Sequence, residues 1–177
     1  MMNRRSLLLF GLVVAVLCLC PSADADTWTL TLIPSSGSIA GPAGSTLGWG
    51  YTIANNSSNT LILMGISADS FLHATPNAFV FDFPIVGPNA SVTTFYSPGL
   101  AGLYELTWDA TAPVGFVNSG TFLLNADWCD AAGGCLAAPG AMANYTATVS
   151  PAAAVPEPTT LVLLLTGIAG IALRRHR

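Results

Sequence analysis

The chain has 177 residues, of which 8% are charged and 52% hydrophobic, so it has room for one ordinary domain with short appendages. All five basic residues are arginines at the two ends, and no Lys or Arg occurs between Ser6 and Leu173. A central region without cationic side chains cannot neutralise phosphates, which excludes nucleic acids and anionic lipid headgroups as its partners.

The first 25 residues have the three parts of a secretory signal peptide. A positive start is followed by Leu7–Leu19, an apolar run of 13 residues that is short for a permanent membrane span. Ala23 and Ala25 then supply the small residues of a cleavage site. We therefore predict a signal helix within residues 1–25 that is removed on export, so that the mature chain starts near Asp26.

Residues 26–150 alternate between apolar and polar side chains with the period of a β-strand, and they contain no amphipathic helical pattern. Turn-forming Gly, Pro and Asn residues separate the alternating runs. Seven strands are predicted, at Thr27–Ile33, Leu47–Ile53, Thr60–Ser67, Val92–Tyr96, Gly102–Ala110, Thr121–Trp128 and Ala143–Val149. This pattern predicts an all-β fold, an immunoglobulin-like β-sandwich of about seven strands, with a jelly roll or small barrel as the alternative.

The segment between the third and fourth predicted strands is the least regular part of the domain. It contains an alternating stretch, Phe79–Phe83, which we interpret as an edge strand that Pro84 ends. Its aromatic residues are expected to fill one end of the core. The alternative is an exposed aromatic platform for sugars, which would also use Trp49 or Trp108.

Cys129 and Cys135 flank a short glycine-containing loop, and in an exported domain such a pair is most simply a disulfide. Metal or redox chemistry would need CxxC spacing or partner histidines, which this region lacks. Asp127 and Asp130 bracket Cys129, and they leave calcium as a minor alternative. No metal site and no cofactor is predicted.

The domain has a poor inventory of catalytic groups. His73 is its single histidine and lies in an irregular segment without a nucleophile elbow. Glu105 and Asp109 alternate onto one strand face, but they are about 13 Å apart along the strand and do not form a paired acid and base. They are expected to lie on a solvated face. The chain is therefore predicted not to be an enzyme.

The C-terminus has three consecutive parts. Residues 151–160 are rich in Pro and Ala and include Pro156, Glu157 and Pro158, which predicts an extended linker. Residues 161–177 comprise an apolar stretch and a terminal cluster, which contains Arg174, Arg175 and Arg177. We predict a single transmembrane helix whose arginines stay on the cytoplasmic side, which leaves the domain on the far side.

That helix is short for a permanent anchor. Residues 159–173 would form a helix of about 22 Å, against a hydrocarbon core of about 30 Å. Such a helix spans only with local thinning of the bilayer and snorkelling arginines. A provisional stop during export fits this length better than a lasting anchor.

The ordered series of Pro156-Glu157-Pro158, apolar helix and arginine cluster resembles the PEP-CTERM sorting signal. The resemblance implies that exosortase, a membrane-embedded enzyme resembling a cysteine transpeptidase, is the sorting partner. It also implies a Gram-negative bacterium that makes exopolysaccharide. The chain would be held in the inner membrane by its helix, recognised at Pro156-Glu157-Pro158, and passed to the cell surface or extracellular matrix.

Three functions follow from these observations. The favoured one is a non-enzymatic surface or matrix protein, with exopolysaccharide as a further partner. The second is a carbohydrate-binding module of that matrix, which rests on the Phe71–Phe83 aromatics and on Trp49 or Trp108. The third is a hydrolase that uses Glu105, which the missing catalytic bases disfavour.

Overall fold

The structure is a computed structural model, and it describes residues 26–153. This part of the chain is all-β, with eleven strands and no helix. The strands are β1 (Trp28–Ile33), β2 (Ser38–Pro42), β3 (Thr46–Asn55), β4 (Thr60–Ala68), β5 (Ala74–Asn77), β6 (Ile85–Val86), β7 (Ser91–Thr94), β8 (Tyr104–Trp108), β9 (Val117–Cys129), β10 (Cys135–Ala137) and β11 (Ala141–Ser150). Residues 26–153 contain no helix that could span a membrane.

The first sheet contains five strands in the order β1–β3–β8–β5, with β7 also paired to β3. The ten-residue strand β3 organises this sheet. Its first part pairs with β8, its second part pairs with β7, and β1 runs along its other edge. All of these pairings are antiparallel.

The second sheet contains six strands in the order β2–β11–β9–β4–β6, with β10 also paired to β9. The 13-residue strand β9 lies between β4 and β11 and pairs with β10 near its end. The pairing of β2 with β11 is parallel, and the others are antiparallel. The two sheets face each other in a sandwich-like arrangement with the core between them.

Aromatic side chains from both sheets form the centre of the core. Trp49 of β3 is fully buried and contacts Phe122 of β9 at 5.1 Å and Tyr145 of β11 at 5.4 Å between ring centroids. Its indole N–H donates to the carbonyl oxygen of Gly37 at 2.8 Å, so burial leaves this polar group satisfied. Phe71 stacks on Tyr145 at 4.9 Å and closes one end of the cluster.

The seven predicted strands all occur, because each buries one face and therefore alternates in sequence. They correspond to β1, β3, β4, β7, β8, β9 and β11. The additional strands β2, β5, β6 and β10 have two to five residues each. They raise the number of strands to eleven and were not predicted.

The predicted edge strand at Phe79–Phe83 is wrong. The chain turns there, with the N–H of Phe81 bonded to the carbonyl oxygen of Ala78 at 3.1 Å and a left-handed φ of 49° at Phe83. Phe81 is buried against Tyr51 at 5.3 Å, whereas Phe79 is 99% exposed. Packing of Phe81 on the sheet therefore replaces strand pairing in this segment.

Glycine is required at position 48 because another segment crosses β3 there. Gly48 is the register partner of Glu105, and the ring of Tyr96 lies directly over it. A Cβ atom at this position would collide with both the Tyr96 ring and the carbonyl oxygen of Tyr104. The missing side chain of Gly48 therefore makes room for the Tyr96 ring.

We expect Gly48→Ala to lower the free energy of unfolding by about 1–3 kcal/mol, the usual cost of overpacking a close contact. Gly87→Ala is the matched control, since its Cβ would meet nothing within 4 Å. Chemical denaturation of both variants measures the difference. Equal stability of the two variants would contradict the close approach of Tyr96 to β3.

Candidate functional site

The predicted sorting residues lie outside the part of the chain that the structure describes. These are the cleavage-site residues Ala23 and Ala25, the motif Pro156-Glu157-Pro158, the predicted helix after it, and Arg174, Arg175 and Arg177. Their roles therefore stay sequence predictions. The described residues show the domain between the two ends.

The predicted disulfide between Cys129 and Cys135 is present. Cys129 ends β9, Cys135 begins β10, and the two are register partners in an antiparallel pair. Inside the loop, one carboxylate oxygen of Asp130 accepts hydrogen bonds from the N–H groups of Ala132 at 2.9 Å and Gly134 at 2.8 Å. The Asp130 side chain and the Cys129–Cys135 disulfide together hold the loop in one conformation.

The calcium alternative lacks a cluster of acidic ligands in the described residues. Over residues 26–153, no group of three or more His, Cys, Asp and Glu side chains is placed to hold a metal ion. Asp130 already uses one carboxylate oxygen within its own loop.

Glu105 is buried, which corrects the prediction that it lies on a solvated face. It is only 7% exposed, because the segments around Asn77 and Gly99 cover this part of the first sheet. Its carboxylate accepts three hydrogen bonds: from the Asn77 amide at 3.0 Å, the Tyr96 hydroxyl at 2.9 Å and the Gly99 N–H at 2.6 Å. Glu105 therefore holds two loops against the sheet, and its acceptor atoms are engaged in structure.

The hydrogen bonds also decide the ionisation of this group. Burial by itself raises the pKa of the Glu105 carboxyl, but the donors from Gly99, Asn77 and Tyr96 outweigh it, so the pKa lies below its usual value. Burial and the neighbouring carboxylate raise the pKa of the Tyr96 hydroxyl, which keeps its proton and remains a donor. A carboxylate held in the charged form in this way is not suited to act as a general acid.

The aromatic residues proposed as a sugar platform are mostly inside the protein. Trp49 and Trp108 are at most 1% exposed, so neither offers a face to a ligand. Phe71 is partly buried between Tyr145 and Tyr104. Only Phe79 and Phe83 of the Phe71–Phe83 segment are exposed aromatics.

His73 is exposed, and its ring contacts Phe116 edge-on at 4.7 Å between centroids. Its backbone has a left-handed φ of 54°, in the turn that precedes β5. No hydrogen bond links its side chain to a serine or a carboxylate in the described residues. The structure therefore does not assemble the serine triad that His73 would have to complete.

Replacing Glu105 by Gln should destabilise the domain by about 1.5–3 kcal/mol, because an amide cannot accept from all three donors. Because folding lowers the pKa of the Glu105 carboxyl, the stabilisation from its three hydrogen bonds is complete at pH values above its unfolded-state pKa of 4.5. This stabilisation is lost as the pH falls through the pKa of the carboxyl in the folded state. Unfolding free energies measured from neutral pH downward should therefore converge for wild type and Glu105→Gln in acid. Asp109→Asn, an exposed change of the same charge, is the control, and a constant gap at all pH values would contradict this role for Glu105.

Removing the disulfide with Cys129→Ser and Cys135→Ser should cost roughly 2 kcal/mol, the loop-closure entropy expected for so short a loop. The rest of the domain should stay folded, because the core cluster lies between the sheets and does not depend on the loop. Thermal unfolding with and without reductant measures the change. Global unfolding on reduction would contradict it.

Comparison with known proteins finds a matching motif model at the C-terminus of the chain. The model of the PEP-CTERM protein-sorting motif matches residues 154–177. No curated protein sequence matches the chain.

Among the solved structures that match the chain, two show how distant the similarity is. The structure of the Vibrio cholerae VesB protease aligns at 13% identity with a TM-score of 0.36, over 72% of this chain and 32% of that one. The CooA pilin subunit from enterotoxigenic Escherichia coli aligns at 12% identity with a TM-score of 0.21, over 70% of this chain and 99% of that one. Likeness at this level supports no functional assignment. The model match is confined to the C-terminus: residues 154–177 of this chain carry a PEP-CTERM protein-sorting motif.

Proposed function

We propose that this chain is an exported, non-enzymatic surface or matrix protein, and that its C-terminal sorting signal directs the delivery of the β-domain. The single observation that carries the proposal is the PEP-CTERM motif at residues 154–177, which implies sorting by exosortase to the cell surface of a Gram-negative bacterium. From the sequence we add two further parts to this proposal: an N-terminal signal peptide that starts export, and an intermediate held in the inner membrane.

The non-enzymatic role is supported by how the candidate catalytic groups are used. Glu105 accepts three structural hydrogen bonds, and Asp82 accepts one from the hydroxyl of Tyr51. His73 packs on Phe116. Glu105 and His73 therefore have structural partners in the described domain, whereas Asp109 is exposed.

The absence of Lys and Arg between the two ends bears on the partner in the matrix. A domain whose Asp and Glu side chains are not balanced by any Lys or Arg repels anionic polymers. We therefore propose that any exopolysaccharide partner is neutral or cationic. Carbohydrate binding through Phe71, Trp49 or Trp108 is disfavoured, since these side chains are wholly or partly buried.

We also propose that the sandwich is of the immunoglobulin-like type. In support, two sheets with predominantly antiparallel pairing enclose one aromatic core, and β2 joins β11 in parallel at one edge.

Replacing Pro156-Glu157-Pro158 with three alanines should leave the protein in the inner membrane, because the processing enzyme no longer recognises it. Pro151→Ala, a proline change outside the motif, is the control and should be sorted normally. Fractionation followed by intact-mass analysis measures both variants.

The wild-type extracellular form should end near Pro156–Pro158 and lack Leu161–Arg177. Recovery of the full-length chain, with its terminal arginines, from the outer surface would contradict processing. Normal surface delivery of the alanine variant would contradict recognition of the motif.

A further inference from the structure

A pocket of about 350 Å³ lies where the start of the domain meets the disulfide loop. One side is formed by Asp26 and Asn59, and the other by Asp130 and Cys135. Trp128, which is 8% exposed, and Leu136, which is 79% exposed, also line it. Its volume is at the lower end of the range of about 300–1,000 Å³ for small-molecule sites, so it suits a small ligand.

The first side of the pocket is held in place by hydrogen bonds. The Asp26 carboxylate accepts from the Ser57 hydroxyl and, at 2.9 Å, from the Asn59 side-chain amide. Asn55, which is 1% exposed, donates its amide to the carbonyl oxygen of Asn59 at 2.8 Å. The position of Asn59 is therefore fixed from inside the core, and that of Asp26 by the turn between β3 and β4.

The second side is held by the disulfide loop. One carboxylate oxygen of Asp130 accepts hydrogen bonds from the N–H groups of Ala132 and Gly134. The backbone N–H of Asp130 donates to the carbonyl oxygen of Gly134 at 2.9 Å. Each carboxylate oxygen has about two acceptor positions, so Asp130 keeps capacity for a ligand. Groups fixed in this way lose little freedom when a ligand binds.

The charges around this pocket are unbalanced. Asp26 and Asp130 both line it, and residues 26–153 contain no Lys or Arg that could neutralise them. Trp128 also lines the pocket, and an indole face that contacts a bound cation adds attraction through its ring quadrupole. The combination of two acids, an amide, an indole and an exposed leucine favours a small organic cation with an apolar or polyol body.

We propose that this pocket binds a small organic cation, a primary ammonium group carried on a body about the size of one sugar ring. The proposal does not depend on the sorting route. Signal cleavage before Asp26 would create an α-amino group beside the same pocket, and this group has the same chemistry. The test must therefore separate a free ligand from the chain's own amine.

The indole N–H signal of Trp128 in a ¹H–¹⁵N spectrum of the mature exported protein provides the readout. The chain has four tryptophans, and Trp128→Phe assigns the signal. Glucosamine, with its amine protonated, should shift this signal saturably, and added salt should weaken the effect. N-acetylglucosamine and glucuronic acid, which lack the positive charge, should not shift it.

The variants locate the binding site. Asp130→Asn should raise the dissociation constant about tenfold, equivalent to about 1.4 kcal/mol, whereas Asp127→Asn, outside the pocket, should leave it unchanged. Leu136→Lys places an ammonium group at the rim on an exposed position, and it should abolish binding without affecting folding. Leu136→Ala is its matched control and should still bind.

Acetylation separates the two sources of the ammonium group, because the chain has no lysine and its α-amine is the only target amine. Glucosamine binding before and after acetylation supports a free ligand. Binding only after acetylation also supports ammonium recognition and assigns the group to the chain's own terminus. Equal binding of N-acetylglucosamine, an unchanged affinity in Leu136→Lys, a response to Ca²⁺ alone, or no shift in either form would overturn the proposal.

Discussion

The burial of Trp49 between the sheets is the interaction on which the rest of the domain depends. This side chain belongs to the first sheet, yet its nearest ring contacts are Phe122 and Tyr145 of the second. Its one polar atom is satisfied by the carbonyl oxygen of Gly37, at the turn before β2. Trp49 therefore links the two sheets by hydrophobic packing. Its hydrogen bond to Gly37 also ties the start of the edge strand β2 to this core. This full burial also makes Trp49 unsuitable as a ligand-binding surface.

The outer face of the same strand is covered by a second, polar arrangement. Gly48 has no side chain, Tyr96 lies over it, and the Tyr96 hydroxyl reaches Glu105 on the neighbouring strand. Glu105 in turn holds the loops at Asn77 and Gly99. A buried acid without a cationic partner is tolerated because three donors replace the lost water. Glu105 therefore acts as a structural anchor for two irregular segments.

The sequence predicted the strands that build the core, because burial of one face produces period-two alternation, as at Trp49 and Tyr51 of β3. It did not predict β2 or β5, since Ser38–Pro42 and Ala74–Asn77 are short edge strands whose pairing leaves no such alternation. It placed Glu105 on the solvated side because alternation tells which face a residue occupies, not whether a loop covers that face. The pocket combines Asp26 with Asp130, which are distant in sequence, so only the fold brings them together.

The sorting motif and the β-domain are separate parts of this chain. The family match is confined to residues 154–177, whereas the domain carries no cationic residue and has its own closed core. The most direct test transfers residues 151–177 to an unrelated exported domain and, in parallel, ends this chain after residue 153. The account predicts that the unrelated domain is trimmed and delivered to the surface, while the shortened chain is not. Surface delivery of the shortened chain, or retention of the fused domain, would contradict it.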